Sequence, residues 1–208
     1  MKTKKFVAIL ILGATCFLIS CTSFQRATDE GSLPPGWRAD TESTDLVYEP
    51  LGIHFPAKIR DWVRVDPITY DSEGLDVSVG YNATEAPLIV DLYIYLRSYY
   101  HPSDLEGHFQ YCIEEIKRDK PGSRVISQEP TDFPIGSAEV SGLKAFVRQR
   151  KGNDELGSYA VLLPYGERFV YLRVTFAGGD QDHVVQGVWE IMKVFMKGIN
   201  FPLEPLSK

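Results

Sequence analysis

Cysteine is scarce in this 208-residue chain, which contains only Cys16, Cys21 and Cys112. Long apolar runs are scarcer still. The one uninterrupted run, Phe6 to Ile19, falls short of the ~20 residues needed to cross a bilayer core, so no transmembrane helix is expected. Basic residues are in deficit, 22 Lys and Arg against 28 Asp and Glu, for a formal charge of −6. An acidic chain argues against nucleic acid as a partner, because phosphate backbones demand concentrated positive charge. Also missing are a Gly-x-Ser-x-Gly elbow, a Gly-x-x-x-x-Gly-Lys phosphate loop, His-Glu-x-x-His and Cys-x-x-Cys. With those hydrolase, nucleotide and zinc signatures absent, no catalytic residue, metal or cofactor is assigned, and the expectation is a protein that is not an enzyme.

The N-terminus is distinctive. Lys2, Lys4 and Lys5 precede the uncharged run, the layout of a secretory signal. The run ends in Leu18-Ile19-Ser20-Cys21, which resembles the lipobox of bacterial lipoproteins: Leu at −3, a small residue at −1, then cysteine. That resemblance implies cleavage before Cys21 and diacylglycerol attachment to its thiol, with Leu18, Ile19 and Ser20 read by the signal peptidase. Each buried methylene of an acyl chain contributes about 0.8 kcal/mol, so two or three chains hold a protein to a bilayer durably. The plainer alternative is a secreted protein with a cysteine at its cleavage site by accident, but charge, run length and box positions all favour the lipobox. Thr22 stands where Asp would resemble an inner-membrane retention signal. The implied location is therefore the cell envelope, on the periplasmic face of the outer membrane if the source is Gram-negative.

Residues 1–20 thus form an expected signal peptide. Removing them with their three lysines would leave 19 basic against 28 acidic residues. Cys112 would be the one thiol left unmodified, so no internal disulfide is expected. Residues 21–45 are poor in apolar side chains and broken by Pro34-Pro35-Gly36. They read as a flexible tether with a reach of roughly 25–30 Å. Trp37 is its one tryptophan, free in solvent or docked. Residues 46–208 then read as a single domain, long enough to bury one core.

Within that domain, strands are expected at Leu51 to Phe55, Val63 to Tyr70, Leu75 to Tyr81 and Leu88 to Leu96. Along the last of these, Leu88, Val90, Leu92, Ile94 and Leu96 share an apolar face. Ser103-Asp104-Leu105-Glu106 has the form of a capping box. It opens a helix on which Leu105, Phe109, Cys112, Ile113 and Ile116 recur at helical spacing before Pro121-Gly122. A short strand at Arg124 to Gln128 follows, then a meander of Ala138 to Arg150, Leu156 to Pro164 and Arg168 to Ala177. A closing helix, capped by Asp180, runs to about Lys197 with a stripe of Val184, Val188, Ile191, Met192, Phe195 and Ile199.

This element order, opening on Gly52-Ile53-His54-Phe55-Pro56, resembles the Mog1/PsbP-like superfamily over roughly residues 46–202. The resemblance implies an α+β fold, an antiparallel β-sheet sandwiched by helices, in a family acting mostly as binding or assembly factors.

Two sites are candidates. His101, Asp104, His108 and Cys112 carry metal-ligand types at helical spacing, although capping and burial explain them as well. Tyr93, Tyr95, Tyr171 and Arg173 share a second sheet face that would bind a partner if exposed, and the alternative is a helix lying over it. The leading functional reading is a lipid-anchored binding or assembly module. Its partners would be the bilayer, through acylated Cys21, and an envelope protein or cell-wall component. The competing reading is a small-molecule carrier or cryptic enzyme with a cavity between sheet and helices.

Overall fold

The computed structural model describes residues 33–202 except 152–153 and 179–180. The expected signal peptide, Cys21, most of the tether and Asp180 lie outside the described residues. No described helix is long and apolar enough to cross a membrane.

Twelve strands are described. Three short ones, β1 (Trp37–Ala39), β2 (Leu46–Tyr48) and β3 (Ile53–Phe55), form a small antiparallel sheet. The main antiparallel sheet contains β4 (Lys58–Ile59), β5 (Trp62–Arg64), β6 (Ile68–Thr69), β7 (Val77–Ala83) and β8 (Leu88–Leu96), followed by β9 (Arg124–Ile135), β10 (Ala138–Lys151), β11 (Asp154–Tyr165) and β12 (Arg168–Ala177). Their order is β4-β5-β7-β8-β12-β11-β10-β9, with β6 also paired to β7. Helix α1 (Leu105–Asp119) and helix α2 (Asp182–Gly198) complete an α+β architecture.

Period-two alternation divides the main sheet chemically. Val77, Val79 and Tyr81, Leu88, Val90, Leu92 and Ile94, and Val170, Leu172 and Val174 share one buried cluster with Val188, Met192, Phe195 and Met196 of α2. Phe195 meets Trp62 and Tyr81 edge-on, with ring centroids 5.3 and 5.0 Å away. On the opposite face, Tyr95, Ala145, Val147, Ala160, Leu162, Phe169 and Tyr171 cluster with Phe109, Cys112, Ile113 and Ile116 of α1.

The expected tether is shortened from its C-terminal side. Trp37 pairs with Tyr48 and Ala39 with Leu46. The Trp37 indole is only 6% exposed, and its ring centroid lies 5.3 Å from both Tyr48 and Phe55. Pro34-Pro35-Gly36 is a structured turn, with the Trp37 amide donating to the Pro34 carbonyl at 3.2 Å. Gly36 and Gly74 both have positive φ, and their backbones approach so closely that a Cβ on Gly74 would stand 2.7 Å from the Pro35 carbonyl. The Tyr48 hydroxyl donates to the Gly74 carbonyl at 2.9 Å and fixes that contact from inside. Polar composition hid a strand whose partner is another segment, and the burial of one large indole outweighs the polar residues that follow it.

Four further elements differ from expectation, the first being the strand expected at Val63 to Tyr70, which is divided into β5 and β6. The strand expected at 124–128 extends to Ile135 as an edge strand beside β10, where Pro130 and Pro134 are tolerated because one edge needs no donors. Asp104, not Ser103, caps α1, its Oδ1 accepting from the Gly107 amide at 2.8 Å. Gly107 suits that third helical position because Pro102 packs there, 2.7 Å from where a Cβ would sit. The cap of α2 is Gln181, without a side-chain hydrogen bond, and the helix runs one residue past Lys197, to Gly198.

Candidate functional site

Strand register lays the α1-side face out in rows. One row reads Gly80, Asp91, Arg173, Ala160, Ala145 across β7, β8, β12, β11 and β10. The row to one side is Ser78, Tyr93, Tyr171, Leu162, Leu143, and the row to the other is Asn82, Ile89, Thr175, Ser158, Val147. Ala145, Val147, Ala160 and Leu162 belong to the α1 cluster, whereas Gly80, Asp91, Ile89 and Asn82 do not. The face is therefore apolar where α1 lies and polar beside it.

Of the four residues expected to form a binding face, Tyr95 and Tyr171 belong to the α1 cluster, Tyr93 packs against it, and Arg173 does not belong to it. Tyr95 and Tyr171 are buried, whereas Tyr93 and Arg173 are half-buried. The rings of Tyr93 and Tyr171 are paired at 5.7 Å between centroids. An aromatic surface formed by all four is therefore not exposed, because α1 packs over Tyr95 and Tyr171.

The candidate metal ligands are brought only partly together. His108 lies flat on Phe169, 4.8 Å between centroids, and its Nε2 is 2.8 Å from the Tyr95 hydroxyl. Burial holds the His108 pKa below its ordinary value. The Cys112 sulfur is 4.0 Å from the same hydroxyl, and burial pushes that thiol up to about 12. His101 is exposed and Asp104 is occupied in capping. Among the described residues, no three His, Cys, Asp or Glu side chains gather closely enough to hold a metal ion. A thiol so rarely ionised reacts slowly. Alkylation of Cys112 at about pH 8, read by peptide mass spectrometry, should be at least about a hundredfold slower in the folded chain than in denaturant. Equal rates would show that α1 does not cover it.

Asp91 is the residue that sequence reasoning missed. It occupies an outward position of β8 beside Tyr93, directly opposite Arg173. Opposed residues of this kind have Cβ atoms about 5 Å apart. Arg173 Nε is buried without an acceptor among the described residues. Burial raises the Asp91 pKa, and the positive Arg173 partly offsets it. Leaving a buried donor unsatisfied costs about 1–3 kcal/mol. Val65 packs over Gly80 beside this pair. A Cβ there would stand 2.7 Å from Val65 Cγ2 and 3.5 Å from Asp91 Oδ1.

A satisfied polar network borders the pair. The Tyr70 hydroxyl and Ser78 Oγ are 2.9 Å apart. The Tyr100 hydroxyl donates to Asp76 Oδ2 at 2.5 Å. Burial and the nearby Asp71 charge push Asp76 up to about 6 despite that hydrogen bond. The site offers one negative and one positive group directly opposed on adjacent strands, both half-buried, with a tyrosine beside them.

No family model matches the chain, and comparison with curated proteins finds no match. Two solved structures are similar in outline. The solution structure of cyanobacterial PsbP (CyanoP) from Synechocystis sp. PCC 6803 superposes with a TM-score of 0.47 at 15% identity, over 89% of this chain and 99% of that one. The crystal structure of PA94, a protein of unknown function from Pseudomonas aeruginosa, gives a TM-score of 0.40 at 10% identity, over 74% of this chain and 91% of that one. At these scores neither likeness assigns a residue or a role to this chain.

Proposed function

We propose that this chain is a lipid-anchored envelope protein whose α+β domain binds a target without transforming it, through the strip around Asp91, Tyr93 and Arg173. On this reading the signal peptide is removed before Cys21, lipid on Cys21 holds the protein to a membrane, and the tether ends at about residue 33. The domain is then a Mog1/PsbP-like sheet sandwiched between α1 and α2. The anchoring rests on Lys2, Lys4 and Lys5, the apolar run and Leu18-Ile19-Ser20-Cys21. The observation that carries the binding role is the directly opposed, half-buried Asp91 and Arg173, with Arg173 Nε lacking an acceptor among the described residues.

Cross-linking in intact cells tests it. A photoreactive group at Thr175, within the strip, should trap an envelope component, and the adduct should disappear in an Arg173→Leu background. The same group at Ile191, exposed on α2, should trap none. Adducts from Ile191 with none from Thr175 would overturn the assignment of the strip.

A further inference from the structure

We infer that the outer edge of the main sheet joins a second copy of this chain, residues 124–129 of β9 pairing antiparallel with the same residues of the partner about a two-fold axis. The inference is independent of the strip around Asp91 and of the lipid anchor.

Strand β9 pairs with β10 on one side and ends the sheet on the other. Its first six residues, Arg124-Val125-Ile126-Ser127-Gln128-Glu129, are all exposed. Ile126, at 49%, is the most exposed of the described large hydrophobics, and its neighbour Val125 stands at 39%. An edge of this kind presents backbone donors and acceptors to any strand that can match it. Pro130, which has no donor, bounds the stretch at its far end.

A second copy is the occupant that charge and the bulge in β9 select. Antiparallel self-pairing that sets Ile126 opposite the partner's Ser127 also sets Val125 opposite the partner's Gln128 and Arg124 opposite the partner's Glu129. Each end of the stretch then gains an opposite-charge pair. Such a pair forms only if both members lie on one sheet face, and in a regular strand residues five apart lie on opposite faces. The bulge removes that difference. Val125 pairs with Val147 and Ser127 with Phe146, so Ile126 is the extra residue. As a result Arg124 faces Arg148 and Glu129 faces Lys144, two β10 residues four apart and therefore on one face. That face is the α2 side, since Lys144 Nζ lies 4.3 Å from the Trp189 ring centroid. By the same register Val125 and Gln128 oppose Val147 and Ala145, which belong to the α1 side. Rotation about an axis normal to the sheet keeps each face on its own side, so these opposed pairs agree. Arg124 also stands directly opposite Arg148 within its own chain, a like-charge contact that the partner's Glu129 offsets.

The test is sedimentation velocity of the full-length chain in detergent micelles, with circular dichroism to verify folding. The chain should dimerise with a Kd below about 100 µM. Arg124→Glu and Glu129→Arg should each raise that Kd at least about tenfold, because each reversal opposes like charges at both ends of the stretch. The chain carrying both reversals should return to within about threefold of the original. For the register, Val125→Cys and Gln128→Cys chains with different tags are mixed and mildly oxidised. The mixed disulfide should be the main product, since opposed residues of an antiparallel pair have Cα atoms within disulfide reach. A chain still monomeric at about 100 µM, or a dimer that neither reversal weakens, would overturn the proposal. Loss of the dimer without recovery in the double reversal, or same-variant disulfides in excess of the mixed one, would overturn the pairing of Arg124 with the partner's Glu129.

Discussion

Replacing Trp37 with alanine is expected to destabilise the domain by about 3–5 kcal/mol, the range for removing a large buried aromatic. The argument does not depend on the length of β1, which is only three residues. It depends on the indole, which packs against Tyr48 and Phe55 and belongs to the larger of the two cores. Its loss would leave a cavity bounded by the small sheet, whose other strands bury Leu46, Tyr48, Ile53 and Phe55. Because Gly36 interlocks with Gly74, the neighbouring backbone has little freedom to collapse into the void. Leu33→Ala serves as the control, because Leu33 is 38% exposed and should cost no more than about 0.5 kcal/mol. Denaturant midpoints of the two variants, measured with equal slopes, check the prediction. A Trp37→Ala loss below about 1 kcal/mol would mean that the residues before Leu46 are not part of the folded domain.

That prediction also marks where sequence reading succeeds and where it stops. The strands Leu88–Leu96 and Arg168–Ala177 were legible because alternation is local: every second residue reports the same face. Helix α1 was legible for the same reason at period 3.6, with Phe109, Cys112, Ile113 and Ile116 buried as their spacing implied. Trp37 was not placed, because its stretch is polar and its partner Tyr48 lies eleven residues on, with no shared pattern to link them. Strand β9 was cut short by two prolines that signal a break in a central strand but are compatible with an edge.

The site was half legible. Tyr93 and Arg173 were recognisable as facing away from the α2 core, yet which part of that face α1 covers depends on where the helix crosses the sheet. Only the register shows that Tyr171 lies under α1 while Arg173, two residues on, is half-buried beside it. Asp91 was hidden in plain view. A single acid among Ile89, Tyr93 and Tyr95 reads as a solvated outward residue until β12 is placed next to β8 with Arg173 opposite.

The second large effect concerns Cys21. Cys21→Ala should abolish metabolic incorporation of fatty acid, block processing, and leave the protein with its signal attached. The chemistry is all-or-none, since the thioether requires the thiol and cleavage follows the lipid transfer that the Leu18-Ile19-Ser20-Cys21 resemblance implies. The folded domain should be unaffected, because Cys21 precedes the first described residue by twelve positions. Denaturant midpoints should match within about 0.5 kcal/mol once differences in detergent are removed. A lost anchor with an intact domain separates tethering from folding, which a mutation in the core could not do.

The most direct test of the account is tandem mass spectrometry of the N-terminal peptide from protein extracted from its native membranes. Attachment to the bilayer through lipid predicts a peptide beginning at Cys21, carrying diacylglycerol on sulfur. A mature peptide beginning at any other residue, or beginning at Cys21 with a free thiol, would contradict it.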